Sequence, residues 1–287
     1  MSYATLRNEW GDLLARRPDF REPLAPYGPI LDAWAGWPGT SVPPLGWDAE
    51  ACEDRWRRGV PLLAEASPAI PREALEDLLA PVLESLAAVG EEPAALQRFA
   101  EAWDRGEVAA SALFPGKGRL ASLALQTETG LSQESLGFLA SAGLRPLLED
   151  YFAGCRPHVA GGSWDLGVCP LCGAPPGFGD IAEDGKRQLV CHVCGTRWPF
   201  SRLACPYCGS RDAREAIRLQ AEDRDEGYVI AACEGCRGYL KELDRRLRFN
   251  AGSALVEDWG SPHLDLVARR KEYWRAVPTL IQLPGGE

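Results

Sequence analysis

Eight cysteines of this chain fall into four Cys-x-x-Cys pairs: Cys169/Cys172, Cys191/Cys194, Cys205/Cys208 and Cys233/Cys236. Two thiolates separated by two residues can grip one ion from a single tight turn. A second pair arriving from elsewhere completes a tetrahedron, so four pairs make two closed four-sulfur sites. Gly173, Gly195 and Gly209 directly follow the second cysteine of the first three pairs. Glycine there lets the backbone curl through positive φ and turn N–H groups toward sulfurs that carry excess negative charge. Pro170 and Pro206 stiffen the turns of the first and third pairs. Disulfides fit less well, because they need an oxidising compartment. The first residues have no apolar run and carry charges from Arg7 onward, so they do not read as a secretory signal. A thioredoxin-type redox site uses one such pair in a βαβ setting, not four in Gly/Pro-rich sequence.

The gaps decide which pairs share an ion. Eighteen residues separate Cys172 from Cys191, ten separate Cys194 from Cys205, and 24 separate Cys208 from Cys233. Gaps of 18 and 24 suit a ribbon hairpin, and 10 suits a connection between modules. Sequential pairing is therefore expected, with a cross-braced arrangement of first pair with third as the alternative. His192 lies between two ligands, but four thiolates already fill the site, so it is expected to be a bystander. Cys52 and Cys155 stand alone in helical context and read as small buried side chains. With three histidines in the chain, none in a hydrolase-like setting, a His-based catalytic centre has little to stand on.

Composition sets the frame. The chain has 287 residues, 46% of them hydrophobic and 25% charged, an ordinary soluble balance. The formal net charge is −10. It is concentrated in residues 1–160, which hold 14 Lys/Arg against 23 Asp/Glu, while residues 161–287 hold 17 against 18. Neither part is basic, which argues against avid phosphate-backbone binding. No apolar run approaches the roughly 18 residues that span a bilayer. The expected location is the cytoplasm, where thiols stay reduced and available to metal.

The elements that position the cysteines can be read coarsely. Residues 1–160 read as a helical domain, with helices at 5–17, from Pro71 through a stripe of Leu75, Leu78, Leu79, Val82, Leu83 and Leu86, and at 93–105, 118–128 and 132–153. Pro81 predicts a kink in the second of these, and Gly143–Pro146 a bend in the last. Pro23–Trp47, rich in proline, glycine and tryptophan, reads as irregular but ordered. Ala160-Gly161-Gly162 marks a composition boundary. Residues 161–200 and 201–262 then read as two rubredoxin or zinc-ribbon modules, with strands at Arg187–Cys191, Tyr228–Cys233 and Tyr239–Leu243. Such hairpins need metal because their hydrophobic cores are too small. Residues 263–287 hold a C-terminal helix over Leu264–Val277 and a tail. The fold class is α+β.

The segments Cys169-Pro-Leu-Cys-Gly-Ala-Pro-Pro176, Cys191-His-Val-Cys-Gly-Thr-Arg-Trp198, Cys205-Pro-Tyr-Cys208 and Cys233-Glu-Gly-Cys-Arg-Gly-Tyr-Leu-Lys241 resemble those of FdhE, the formate dehydrogenase accessory protein family. Leu264-Asp265-Leu266-Val267-Ala268 and the helix around Leu144-Arg145-Pro146 also resemble the family, which covers roughly residues 145–285. The resemblance implies a cytoplasmic, non-catalytic protein needed for active formate dehydrogenase, binding rubredoxin-type iron and contacting the catalytic subunit of that molybdenum or tungsten enzyme. Ligand identity alone does not choose between iron and zinc; the resemblance favours iron, with zinc as the alternative. Two other classes remain on the residues themselves. A zinc-ribbon nucleic-acid binder would show a basic aromatic face, and a rubredoxin-like electron carrier would show a visible spectrum that dithionite changes. For a partner surface the candidates are Arg197, Trp198, Phe200 and Arg202, whose aromatic and arginine character is enriched in interaction hot spots. The competing role for Trp198 and Phe200 is to wedge the two ribbons together.

Overall fold

Leucine stripes in the first half of the chain become helices whose ends are chemically marked. The fold is that of a computed structural model describing residues 2–39, 42–90, 92–116, 118–161, 163–220 and 226–280. Gly162 of the composition boundary and the tail from residue 281 lie outside the described residues. Helix α1 spans Tyr3–Arg16, and the side chain of Ser2 accepts from the Thr5 amide at its start. Helix α4 (Arg72–Val89) begins after Pro71, buries Leu75, Leu78, Leu79 and Val82, and stops at Gly90 with φ +86°. It is assigned as one helix through Pro81. Helix α5 covers Pro93–Asp104, and α7 covers Gln133–Tyr151 with Ser132 as its cap. Helix α7 is buried along nearly its whole length and packs on α4, so it is the central rod of the helical layer.

Three expectations are corrected. Pro23–Trp47 is not irregular throughout: α2 forms at Gly28–Ala35, with Pro29 in its first turn and Ile30, Leu31 and Trp34 buried. The helix expected at 118–128 starts only at Leu123 (α6, Leu123–Thr129), because the Ser122 hydroxyl caps it there. The C-terminal helix is α9 (Pro262–Arg269), shorter than expected. After it the polar run Arg269–Glu272 offers no apolar stripe, and Glu272 turns the chain with φ +62°. Helix α3 (Ala49–Arg57) supplies the helical context expected around Cys52, and the short helix α8 (Ala254–Trp259) is an addition to the elements expected. Among the described residues, no helix is long and apolar enough to cross a membrane.

The metal region forms one sheet. Its strands are β1 (Phe178–Ile181), β2 (Arg187–Val190), β3 (Arg197–Pro199), β4 (Ala216–Leu219), β5 (Tyr228–Cys233) and β6 (Tyr239–Asp244). The spatial order is β3-β2-β1-β6-β5-β4. Each ribbon contributes an antiparallel three-stranded meander, and the two meanders join where β1 runs parallel to β6. Side chains alternate across the sheet. Phe178, Val190, Tyr228, Ile230, Tyr239 and Leu243 share one face and build a small core with Ala254, Leu264 and Ala268 of α8 and α9. Leu189, Trp198 and Leu240 point the other way and join the large core shared with the helices. After α9 the chain runs back as a strap. Trp274 pairs with Gly238, and Val277 and Leu280 end in the helical core.

Candidate metal centre

The first two pairs meet as Cys169, Cys172, Cys191 and Cys194, and the last two as Cys205, Cys208, Cys233 and Cys236. This is the sequential arrangement. Within each group the four sulfurs all lie within 4.8 Å of one another. Sγ–Sγ distances are 3.5 Å for Cys169–Cys194, 3.4 Å for Cys172–Cys191 and 3.7 Å for both Cys205–Cys236 and Cys208–Cys233. A disulfide would need about 2.05 Å. A tetrahedron with metal–sulfur bonds of about 2.3 Å has sulfur–sulfur edges of about 3.8 Å. The spacing therefore fits two tetrathiolate ions and no disulfide.

All four turns share one backbone device. The amide after the second cysteine donates to the carbonyl of the first: Gly173 to Cys169, Gly195 to Cys191, Gly209 to Cys205 and Arg237 to Cys233. The donor has positive φ each time, from +59° at Arg237 to +79° at Gly173. Arginine replaces glycine in the fourth turn. It is held by Glu234 at 2.5 Å and by its guanidinium over the Tyr273 ring. Further donors reach the sulfurs. The Thr196 hydroxyl lies 3.2 Å from Cys194 Sγ, and the Gly238 amide 3.4 Å from Cys236 Sγ. Burial on its own would raise the Cys194 thiol. Yet Cys194 is held well below the usual thiol range, because its three sulfur neighbours and Thr196 hydrogen-bond to its thiolate. Cys208 is likewise lowered, with the Ser210 amide foremost among its donors.

The two sites differ in setting. All four ligands of the first are buried, whereas Cys208 is exposed and Cys205 and Cys236 are half-buried. The first site is also gripped by the helical layer. Leu62 and Leu63 donate backbone bonds to Pro170 and Leu171, and Trp56 Nε1 donates to the Pro170 carbonyl. From α7, Arg145 donates to the His192 carbonyl at 2.9 Å, and Arg156, just beyond it, donates to that of Cys194 at 3.1 Å. The second site is held by its own hairpin and the strap: Trp274 Nε1 donates to the Cys236 carbonyl at 2.6 Å, and its ring packs on Tyr207.

His192 is not a ligand. Its Nε2 lies 2.9 Å from Asp258 Oδ2 of α8, and burial keeps its pKa below the ordinary histidine value. Asp258 opens a fully buried ionic cluster that sequence reasoning missed. Lys241 on β6 lies 3.0 Å from Asp258 and 2.8 Å from Asp265, and Arg275 of the strap binds the same two carboxylates at 2.6 and 2.7 Å. Tyr239 donates to Asp265 at 2.7 Å. Two cations thus offset two anions beside the first metal site. Lys241 stands inside the fourth cysteine motif and Asp265 inside the Leu264–Ala268 segment, and those two positions were the available signals.

The partner-surface candidates separate. Trp198 is 0% exposed, packs in the large core and donates to the Leu166 carbonyl. Phe200 is half-buried, with the Arg187 guanidinium 5.7 Å from its ring centre. Arg197 is half-exposed and pairs with Asp180 at 2.6 Å, and Arg202 is exposed. Cys52 and Cys155, which look isolated in sequence, are buried side by side; burial pushes the Cys52 thiol up to about 12, with Cys155 adding to the shift.

Fold and site together define an α+β protein built around two tetrathiolate centres. A family model described as the FdhE central domain matches residues 168–202, the segment holding the first centre. Proteins named FdhE homolog are 37% identical over 127 residues in Stutzerimonas stutzeri and 32% over 156 in Pseudomonas aeruginosa, and 30% over 153 in Aquifex aeolicus. These alignments take in 43%, 47% and 51% of this chain. They span 41%, 50% and 52% of those relatives, about half their length or less. The crystal structure of the FdhE protein from Pseudomonas aeruginosa superposes with a TM-score of 0.65 at 22% identity, covering 100% of this chain and 98% of that one, and so shares its fold. The chain is thus related to the FdhE proteins.

Proposed function

We propose that this chain is a cytoplasmic, non-catalytic accessory protein that binds two metal ions through its four cysteine pairs. In this reading it contacts the catalytic subunit of formate dehydrogenase during that enzyme's maturation. The observation that carries the reading is the pair of tetrathiolate clusters in an FdhE-like fold. Iron is the favoured occupant and zinc the alternative. Either would draw the eight thiolates into closed shells and supply folding energy to ribbons whose own cores are small. A closed shell keeps no open coordination position for a substrate, unlike catalytic zinc sites. The near-neutral charge of residues 161–287 speaks against a nucleic-acid role.

The test combines metal analysis with complementation. Purified protein should carry close to two ions, and Cys172→Ser or Cys208→Ser should lower that content while Cys52→Ser should not. In a host that makes formate dehydrogenase, loss of this protein should leave the catalytic subunit present but inactive. The wild type and Cys52→Ser should restore activity. Full formate dehydrogenase activity in its absence would reject the reading.

A further inference from the structure

The eight paired sulfurs are not equally enclosed. The four ligands of the first centre and Cys233 are buried, Cys205 and Cys236 are half-buried, and Cys208 is exposed. Three further observations set Cys208 apart. The first is the space around its turn. A Cβ added at Gly209 would meet nothing within 4 Å, whereas at Gly173 it would stand 3.3 Å from Pro61 and at Gly195 3.1 Å from Glu149. The second is how locally it is held. The Ser210 amide bonds its sulfur, and the Gly209 amide donates to the Cys205 carbonyl at 3.0 Å, both within the one turn. Its partners are braced from elsewhere. The Cys236 carbonyl accepts from Trp274 of the strap, and Cys233 ends β5 paired with Ala216 of β4. Tyr207, just before Cys208, is anchored through its hydroxyl to the Tyr239 carbonyl at 3.2 Å. The base of the turn is thus fixed while its outer sulfur faces water. The third is room beside the centre: a cavity of about 490 Å³ has Cys205 and Cys233 in its lining.

We infer that Cys208 is the exchangeable ligand of the second centre, the position where an external thiol takes its place on the metal. In the exchange the bond from Cys208 Sγ to the ion breaks and a bond from the incoming sulfur forms. The proton of the incoming thiol passes to Cys208, so net charge and oxidation state do not change. The centre sets the class of ligand, because an ion held by the three remaining thiolates favours a fourth soft donor. A cysteine side chain and a small thiol such as glutathione share that chemistry. The first centre admits neither, with every sulfur buried and its turns set against Pro61 and Glu149. The inference rests on the reading that both centres hold metal.

The test loads the full chain with cobalt(II), whose visible bands report the number of sulfur ligands, and compares Cys208→Gly with Cys236→Gly and Cys172→Gly. Removing a group that only orients a ligand costs about 10–100-fold in metal affinity, and removing a ligand costs no less. Added mercaptoethanol should tighten cobalt binding to Cys208→Gly at least about ten-fold and restore its four-sulfur spectrum, while leaving the other two variants impaired. Equal rescue of Cys236→Gly, or no rescue of a folded Cys208→Gly, overturns the exchange and leaves the two-centre reading standing. A wild type that holds fewer than two ions overturns both. If Cys208→Gly does not fold, the loaded wild type decides. Iodoacetamide should label Cys208 ahead of the other paired cysteines, as mapped by mass spectrometry, and labelling led by another of them overturns the assignment. Glutathione or the formate dehydrogenase catalytic subunit is then added to the loaded protein. Faster Cys208 labelling with glutathione, metal being retained, assigns a small thiol. Faster labelling with the subunit, lost when the subunit's own cysteines are blocked, assigns a protein thiol. No acceleration by either overturns the exchange.

Discussion

Asp258 is fully buried and touches His192, Lys241 and Arg275 at once. Burial alone would raise its pKa, but Arg275 and then Lys241 hold the carboxyl far below the usual range. The cluster links the second cysteine turn, through His192, to β6, α8 and the strap. Removing one member leaves the others charged and buried, which typically costs about 3–5 kcal/mol. Asp258→Asn should therefore destabilise the protein by that order at pH 7. The sign of the pH dependence follows from the lowered pKa. The contribution is complete above the unfolded carboxyl value of about 4 and is lost only as pH falls toward the depressed folded value. The gap between variant and wild type in denaturant unfolding should then be the same at pH 6 and pH 8. A gap that closes between those values would mean that a different group is responsible.

At the scale of turns and helices, the four cysteine turns were readable because ligation needs fixed residue types at fixed spacing. The long helices were readable because Leu75 to Val82, and the leucines from Leu136 to Leu148, recur at helical period in the sequence, although α7 is buried on every side over that stretch. What stayed hidden had physical reasons. Helix α2 lies among prolines and tryptophans whose pattern shows no sustained period. Strands β1, β3 and β4 have three or four residues each, too few for alternation to register, and β2, equally short, was legible only because it leads into Cys191. Lys241, Asp258 and Asp265 look like surface residues until tertiary structure brings opposite charges together. The turns also differ in tolerance. At Gly195 an added Cβ would stand 3.1 Å from the Glu149 carboxylate, which is fixed by Tyr3 at 2.6 Å; at Gly209 it would meet open space. Both have positive φ, 70° and 75°, so alanine pays the left-handed cost of roughly 1–2 kcal/mol at either. Only Gly195→Ala adds the collision. It should lower thermal stability more than Gly209→Ala, as a melting comparison of the two loaded proteins would show; equal losses would mean that Glu149 moves aside freely.

Across the whole molecule the two centres play unequal parts. The first belongs to the same core as the helices: Cys169, Cys172, Cys191 and Cys194 pack in one cluster with residues of α1, α2, α4 and α7. Reaching an ion held there would mean opening that core, and losing it would leave four buried thiols without an organising charge. The second sits at the far half of the sheet, with Cys208 exposed and the strap as its main outside support. Local openings that free it involve few buried contacts and are correspondingly frequent. Excess chelator should therefore remove the metal in two phases, the first near one ion per chain. The fast phase should leave helical circular dichroism unchanged and perturb Trp274, whose indole bonds the Cys236 carbonyl. The slow phase should run together with loss of helical signal, since the first site holds Pro170, Leu171 and His192 against the helical layer. Cys208→Ser should abolish the fast phase and spare the slow one. Release of both ions in a single step, with helix content falling from the outset, would show that the sheet transmits the loss of either metal to the entire chain.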